Sequence, residues 1–113
     1  MKLFMHDRLF SFIHCELSEK CNLACPMCPR GELLEQGFLG KTEIALEDFK
    51  NIFDPILDNC GKFFMSGNYS DPMTHTKIHD LCEWILSGKN TRIQIGTNGS
   101  LRKPDDYYEL GKL

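Results

Sequence analysis

The sequence has no apolar run long enough to cross a membrane and no excess of basic residues. A membrane-spanning helix needs about 20 consecutive apolar residues. A nucleic-acid-binding domain usually carries a basic face, whereas the formal net charge here is −3. The N-terminus soon becomes charged and lacks the apolar stretch and small-residue cleavage site of a secretion signal. We therefore expect no membrane partner, no nucleic-acid partner and a cytoplasmic location.

Internal repeats, low-complexity tracts and interdomain linkers are also missing from the sequence. The length of 113 residues fits one domain and lies well below the roughly 250 residues of a complete (β/α)8 barrel. With 42% hydrophobic and 26% charged residues, the composition is ordinary for a globular protein. Composition alone therefore gives no function, and the positions of particular residues have to supply it.

Strand-like and helix-like segments alternate along the chain. The predicted strands span residues 9–15, 62–66 and 92–96. The predicted helices begin near residues 42–45, 78 and 105, and apolar residues recur on one face of the first two at spacings of three and four. Pro55 is expected to end or kink the first helix near Asp54. Residues 31–41 contain three glycines and are expected to be irregular.

This order predicts an α/β fold with parallel strands, because a helix between two strands returns the chain to the same end of the sheet. In such sheets the ligand lies beyond the carboxyl ends of the strands. An irregular segment follows each predicted strand, at residues 21–28, 67–72 and 97–100. We name these segments the cysteine loop, the glycine loop and the asparagine turn, and we expect them to meet at one edge of the sheet.

Six cysteines are many for such a chain, and three of them crowd into the cysteine loop. Cys21, Cys25 and Cys28 are separated by three and then two residues. A reducing cytosol disfavours structural disulfides, so clustered thiols indicate a metal site. Three thiolates on a [4Fe–4S] cluster leave one iron with an open coordination position. Open metal positions serve chemistry, whereas closed sites serve structure.

Zinc is the alternative metal for the cysteine loop. A structural zinc site would take the three cysteines and one further ligand, for which Cys15, His14 and Cys60 are candidates. Zinc ligands usually come in symmetric pairs, and the sequence offers no second pair. Spacing therefore favours iron–sulfur over zinc, and thiols that stay reduced or serve redox chemistry are the third interpretation.

The cysteine loop resembles the signature of the radical S-adenosylmethionine (SAM) superfamily, a Cys-x3-Cys-x2-Cys motif just after the first strand. Residues 16–30 read Glu-Leu-Ser-Glu-Lys-Cys-Asn-Leu-Ala-Cys-Pro-Met-Cys-Pro-Arg, which is similar to many of its members. The family often has an aromatic or bulky residue just before the third cysteine, beside the adenine of SAM. Met27 occupies that position.

Two further segments resemble the same family. After its second strand the family has a glycine-rich loop, often Gly-Gly-Glu-Pro or Gly-Glu-Pro, that meets the amino group of SAM. The glycine loop here ends in Ser-Asp-Pro, with a serine for the glycine and a shorter acid. The asparagine turn begins with Thr-Asn-Gly, as in members close to peptide- and cofactor-maturing enzymes.

The resemblance implies a [4Fe–4S] cluster that binds SAM and cleaves it reductively to a 5′-deoxyadenosyl radical for hydrogen abstraction. Asp71, or a backbone carbonyl beside it, would accept a charge-assisted hydrogen bond from the SAM ammonium. The implied partners are SAM, an unknown substrate such as a peptide or cofactor precursor, and an electron donor such as a flavodoxin or ferredoxin. The implied cluster ligands are Cys21, Cys25 and Cys28, and the implied SAM-binding residues are Met27, Gly67, Asn68, Ser70, Asp71, Thr97 and Asn98.

The resemblance extends over nearly the whole chain but supplies about three of the family's six strand–helix units. It predicts a partial (β/α) barrel of the radical SAM type, with residues 1–113 as an incomplete core domain. Half a barrel leaves an unpaired sheet edge, so we expect a fragment or a piece that needs a partner for activity. The alternatives are a non-catalytic iron–sulfur or electron-transfer module and a zinc-binding interaction domain.

The remaining cysteines and histidines receive structural interpretations. Cys82 lies on the apolar face of a predicted helix and Cys15 at a strand end, and we expect both in the core. Cys60 is expected to be an ordinary thiol near a helix end. His75 and His79 are four residues apart on one predicted helical face. No glutamate accompanies them in the manner of a zinc protease, so we expect both at the surface.

Overall fold

A computed structural model describes residues 10–113 of the chain. Within that range the strands are β1 (Ile13–Cys15), β2 (Lys62–Met65) and β3 (Arg92–Ile95). The α-helices are α1 (Arg30–Glu35), α2 (Leu46–Phe53), α3 (Ile78–Leu86) and α4 (Pro104–Gly111), and two 3₁₀ helices span Asp54–Asn59 and Pro72–Thr74. None of the helices in this part of the chain is long and apolar enough to cross a membrane.

The three strands form one parallel sheet with β2 in the middle. Cys15 of β1 lies opposite Met65 of β2, and Met65 lies opposite Ile95 of β3. Each connection between neighbouring strands contains at least one α-helix, which is what a parallel pair requires. The predicted α/β class with parallel strands is therefore confirmed for this three-stranded sheet.

The largest differences from the predicted elements concern the first strand and residues 31–41. The first strand was predicted from Leu9, which lies outside the described residues, and Phe10 makes only an isolated bridge to Cys60 before β1 begins. The prediction that residues 31–41 are irregular is wrong for their first half, because α1 begins at Arg30. A helix of six residues is too short to show periodicity, and Gly37, with φ of +76°, follows its end.

The core lies between the sheet and the apolar faces of α2 and α3. Phe49 of α2 packs against Phe63 of β2 with ring centroids 6.0 Å apart, and both are buried. Burying a side chain of this size contributes about 1.5–3 kcal/mol. The α2 helix ends at Phe53, as Pro55 predicts, and continues as a 3₁₀ helix. The predicted face of α3 is buried except for Leu86, which is exposed.

Candidate functional site

The cysteine loop, the glycine loop and the asparagine turn meet beyond the carboxyl ends of the strands, as predicted. The Asp71 amide of the glycine loop donates to the Lys20 carbonyl, just before the cysteine loop, at 2.9 Å. Asn98 of the asparagine turn donates through Nδ2 to Oδ1 of Asn22 at 3.0 Å. Asn22 Nδ2 in turn donates to the Ser100 hydroxyl at 3.0 Å. The sheet therefore brings the candidate site residues into one region.

None of the three cysteines of the cysteine loop is buried. Cys21 and Cys28 are half-buried, Cys25 is exposed, and none forms a disulfide. The Cys28 amide donates to the Cys25 carbonyl at 3.0 Å, which closes a tight turn and leaves Met27 94% exposed. An open groove of about 620 Å³ runs beside Cys25 and Cys28. A small molecule can therefore approach this loop from one side.

The spacing of the loop sulfurs bears on the choice of metal. Among residues 10–113, the three loop cysteines do not form a set whose ligand atoms all lie within 4.8 Å of one another. A tetrahedral zinc with Zn–S bonds of about 2.3 Å would need its sulfurs about 3.8 Å apart. In a [4Fe–4S] cluster the thiolates bind separate irons, so their sulfurs need not approach so closely. To hold a single zinc ion with all three sulfurs, the loop would therefore have to tighten.

One exposed group of possible metal ligands lies elsewhere in the described part of the chain. His79, Asp80 and Glu83 of α3 have ligand atoms within 4.8 Å of one another. Exposed acidic groups of this kind are common without an ion. His79 is exposed, as predicted, but the same prediction for His75 is wrong. His75 precedes α3, is 1% exposed, and donates from Nε2 to the Ile44 carbonyl at 2.7 Å.

The glycine loop has a conformation that requires a glycine at position 67. A Cβ added to Gly67 would lie 2.3 Å from the Ser70 carbonyl oxygen, a distance that no side chain tolerates. The Glu16 carboxylate, at the end of β1, holds this loop by accepting from the Tyr69 amide at 2.9 Å and the Ser70 hydroxyl at 3.1 Å. Asn68 stays exposed at the loop surface.

Asp71 is buried, with 4% exposure, and both of its carboxylate oxygens accept hydrogen bonds from the protein. Oδ1 accepts from the Met73 amide at 2.9 Å, and Oδ2 accepts from the Asn98 amide at 2.8 Å. The Thr97 hydroxyl lies 2.8 Å from each oxygen. Asp71 therefore joins the glycine loop to the asparagine turn, and a SAM ammonium would have to share oxygens that already have donors.

Arg30 is a residue of this region that the sequence analysis did not single out. It is 8% exposed, and its guanidinium donates to the backbone carbonyls of Glu19 and Tyr69. Because Arg30 follows directly after Cys28-Pro29, these bonds tie the end of the cysteine loop to its beginning and to the glycine loop. Its place beside the motif was visible in the sequence, but no local pattern distinguishes a buried arginine from an exposed one.

An ion pair supports the start of the cysteine loop. Lys20, which precedes Cys21, donates from Nζ to Glu43 Oε1 at 3.0 Å. Glu43 also accepts from the Thr76 amide at 2.7 Å. Burial raises the pKa of Glu43, but the hydrogen bonds from Thr76 and Lys20 outweigh it and lower the pKa from 4.5 to about 2. Glu43 therefore stays ionised at neutral pH.

The other three cysteines lie in the core, which confirms the prediction for Cys15 and Cys82. Burial raises the pKa of both thiols from 9.0 to about 12, and Cys60 adds to the effect at Cys15. Cys60 is fully buried, and its Sγ lies 3.4 Å from the Lys62 carbonyl oxygen. His14 is exposed and donates from Nε2 to the Ser66 carbonyl at 2.6 Å. The candidates for a fourth zinc ligand are thus engaged or buried.

Comparisons of the chain with protein-family models, with curated proteins and with solved structures found no match.

Proposed function

We propose that the chain is a [4Fe–4S]- and SAM-binding domain of the radical SAM type, and that residues 10–113 form part of its (β/α) barrel. The observation that carries this proposal is the hydrogen-bonded convergence of the cysteine loop, the glycine loop and the asparagine turn at one sheet edge. Ligands of parallel α/β sheets bind at this edge. Each of the three segments also carries its own resemblance to the family.

Cys21, Cys25 and Cys28 would supply the three thiolates that hold the cluster. When bound together with SAM, the cluster supplies the electron for the reductive cleavage of SAM, which leads to hydrogen abstraction from a substrate. The protein binds the cluster and SAM, orients them and shields them from solvent. The groove beside Cys25 and Cys28 provides the access that an open coordination position needs.

The residues around the cysteine loop divide into those that face a ligand and those that hold the loops. Met27 presents an exposed apolar side chain on which an adenine ring can pack, and Asn68 presents an exposed amide. Gly67 lets the glycine loop fold back against the Ser70 carbonyl, so it belongs with the residues that hold the loops. Asp71 and Thr97 hold two of the loops together, so we assign them to orientation of the site.

The proposed reaction sets requirements for partners. A one-electron donor of the flavodoxin or ferredoxin kind has to reduce the cluster before SAM is cleaved. A peptide or a cofactor precursor is the proposed substrate class, because the Thr-Asn-Gly segment resembles the corresponding segment of enzymes that act on such substrates. A cytoplasmic location fits the proposal, since a reducing compartment keeps the loop thiols available for metal.

The proposal is tested by the response of the reduced protein to SAM. After anaerobic reconstitution with iron and sulfide, followed by reduction, we expect addition of SAM to change the electron paramagnetic resonance spectrum and to yield 5′-deoxyadenosine. The Cys25→Ala variant should give neither signal. If the cluster forms but its spectrum does not change when SAM is added, the proposal is wrong and the electron-transfer alternative applies. Retention of zinc without iron uptake would replace both by the zinc-binding alternative.

A further inference from the structure

We propose that Asn98 donates a hydrogen bond to the ligating thiolate of Cys21 and thereby raises the reduction potential of the cluster. Thr97 and Asp71 are the positioning residues that hold Asn98 in place. This inference rests on the proposed cluster in the cysteine loop. It assigns Asn98 a role at the cluster, whereas the resemblance implies only a role in SAM binding.

The contact itself is between Asn98 Nδ2 and Cys21 Sγ, at 3.9 Å. The same nitrogen donates to Asn22 Oδ1 at 3.0 Å, and both bonds can exist together because the amide nitrogen carries two hydrogens. The orientation of the amide is fixed from its other end. Asn98 Oδ1 accepts from the Ser100 amide at 2.9 Å and from the Ser100 hydroxyl at 2.7 Å. A flipped amide would lose the bonds to Cys21, Asn22 and the Ser100 amide, so the donor side faces Cys21.

The backbone of Asn98 is anchored to a buried charge. Its amide donates to Asp71 Oδ2 at 2.8 Å, and the neighbouring Thr97 hydroxyl bonds the same carboxylate. Because Asp71 is 4% exposed, these charge-assisted bonds are shielded from water and are stronger than neutral ones. Asp71 and Thr97 therefore act on the cysteine loop through Asn98.

A donor on a ligating sulfur favours the reduced cluster, which carries one more negative charge. Hydrogen bonds to the sulfurs are among the factors that set iron–sulfur potentials, and partners of the ligands tune metal sites in general. Asn98 is exposed, so solvent weakens the effect. We expect loss of the bond to lower the ratio of reduced to oxidised cluster at a fixed potential by about two- to tenfold, where tenfold corresponds to about 59 mV for one electron.

The test is a redox titration of the reconstituted protein, followed by its electron paramagnetic resonance signal. Asn98→Ala should keep the full iron content of the wild type and shift the midpoint potential to more negative values. Asn51→Ala, the same substitution on the exposed side of α2, should leave the potential unchanged. A wild-type potential in the Asn98→Ala variant would overturn the inference.

Thr97→Val tests the positioning part without any change of charge, because it removes only the hydroxyl that bonds Asp71. It should shift the potential in the same direction by less than Asn98→Ala, and it should add nothing in the Asn98→Ala background. Additive shifts would show that Thr97 acts by another route, which overturns that part. If the wild type takes up no cluster, the proposed function fails and this inference fails with it. If the wild-type cluster responds to SAM but Asn98→Ala has the wild-type potential, only this inference fails and the proposed function stands.

Discussion

The six cysteines fall into two groups with the same chemistry and opposite surroundings. Cys21, Cys25 and Cys28 lie on one loop beyond the end of β1, half-buried or exposed. The core group, by contrast, comprises Cys15, Cys60 and Cys82, with exposures of 8%, 0% and 2%. The number of cysteines therefore indicates nothing by itself. Placement on a shared segment at the carboxyl edge of the sheet is the reason why we propose the loop group as metal ligands.

Burial also prevents two of the core cysteines from supplying thiolates. Metal binding requires deprotonated sulfur. Burial raises the pKa of Cys15 and Cys82 to about 12, so both remain neutral thiols that pack as small apolar side chains. The loop cysteines are open to solvent on a segment that Arg30 and the Lys20–Glu43 pair hold in place. The difference between the groups can be measured in several ways.

The largest expected difference is in thiol reactivity. In the metal-free folded protein, iodoacetamide should modify Cys25 rapidly and leave Cys15 and Cys82 unmodified. The rise in pKa from 9.0 to about 12 lowers the thiolate fraction by about 1000-fold, and burial blocks access in addition. Timed labelling followed by peptide mass spectrometry measures the rates. Modification of Cys82 at the rate of Cys25 would break the distinction between the two groups.

The next difference is in stability. Cys82→Ala should lower the free energy of unfolding by about 1 kcal/mol, because it removes a buried sulfur and leaves a small cavity. Cys25→Ala in the metal-free protein should change it by less than about 0.5 kcal/mol, as is usual at exposed positions. Urea denaturation gives both values. A loss at Cys25 as large as that at Cys82 would mean that the loop cysteines are also structural.

Acid should weaken the support of the cysteine loop through Glu43. Its pKa is lowered from 4.5 to about 2 in the folded protein, so its stabilising contribution is complete above about pH 4.5 and is lost as the pH falls towards 2. Glu43→Gln should therefore flatten the decline of unfolding free energy over this window. Glu47→Gln, which removes a more exposed partner of Lys50, serves as the control. Identical pH profiles for Glu43→Gln and the wild type would contradict the assigned role.

The smallest expected effect concerns a tyrosine hydroxyl that packs beside the core. Within residues 10–113, the Tyr107 hydroxyl is the one buried side-chain oxygen or nitrogen without a hydrogen-bond partner. Removing an unsatisfied buried group relieves its desolvation cost, so Tyr107→Phe should leave stability unchanged or raise it by up to about 1 kcal/mol. Tyr108→Phe, at an exposed position, should have no effect. A clear loss of stability in Tyr107→Phe would indicate a partner for the hydroxyl.

Local patterns were enough to predict the frame of this fold. Apolar spacing identified α2 and α3, and Pro55 gave the end of α2. The alternation of strands and helices then implied a parallel sheet, and a parallel sheet implied that the three loops meet. These features depend on periodicity and on connection rules, which a single sequence displays.

The rest depended on contacts between distant residues. Helix α1 was missed because six residues show no period, and His75 was placed on a helix face although it precedes the helix. The engagement of Asp71 by Thr97 and Asn98 joins positions 26 and 27 residues apart, and no local pattern encodes such a pairing. The burial of Arg30 could not be predicted either, because it depends on contacts with residues distant in the sequence. These are the residues that fix how the loops sit against one another.

The central claim is that Cys21, Cys25 and Cys28 together hold an iron–sulfur cluster, and the most direct test is the amount of iron and sulfide bound after anaerobic reconstitution. We predict about four of each per chain in the wild type and in Cys82→Ala, and no stable cluster in Cys25→Ala. A wild type that retains zinc and takes up no iron would contradict the account. So would a Cys25→Ala variant that keeps the full cluster.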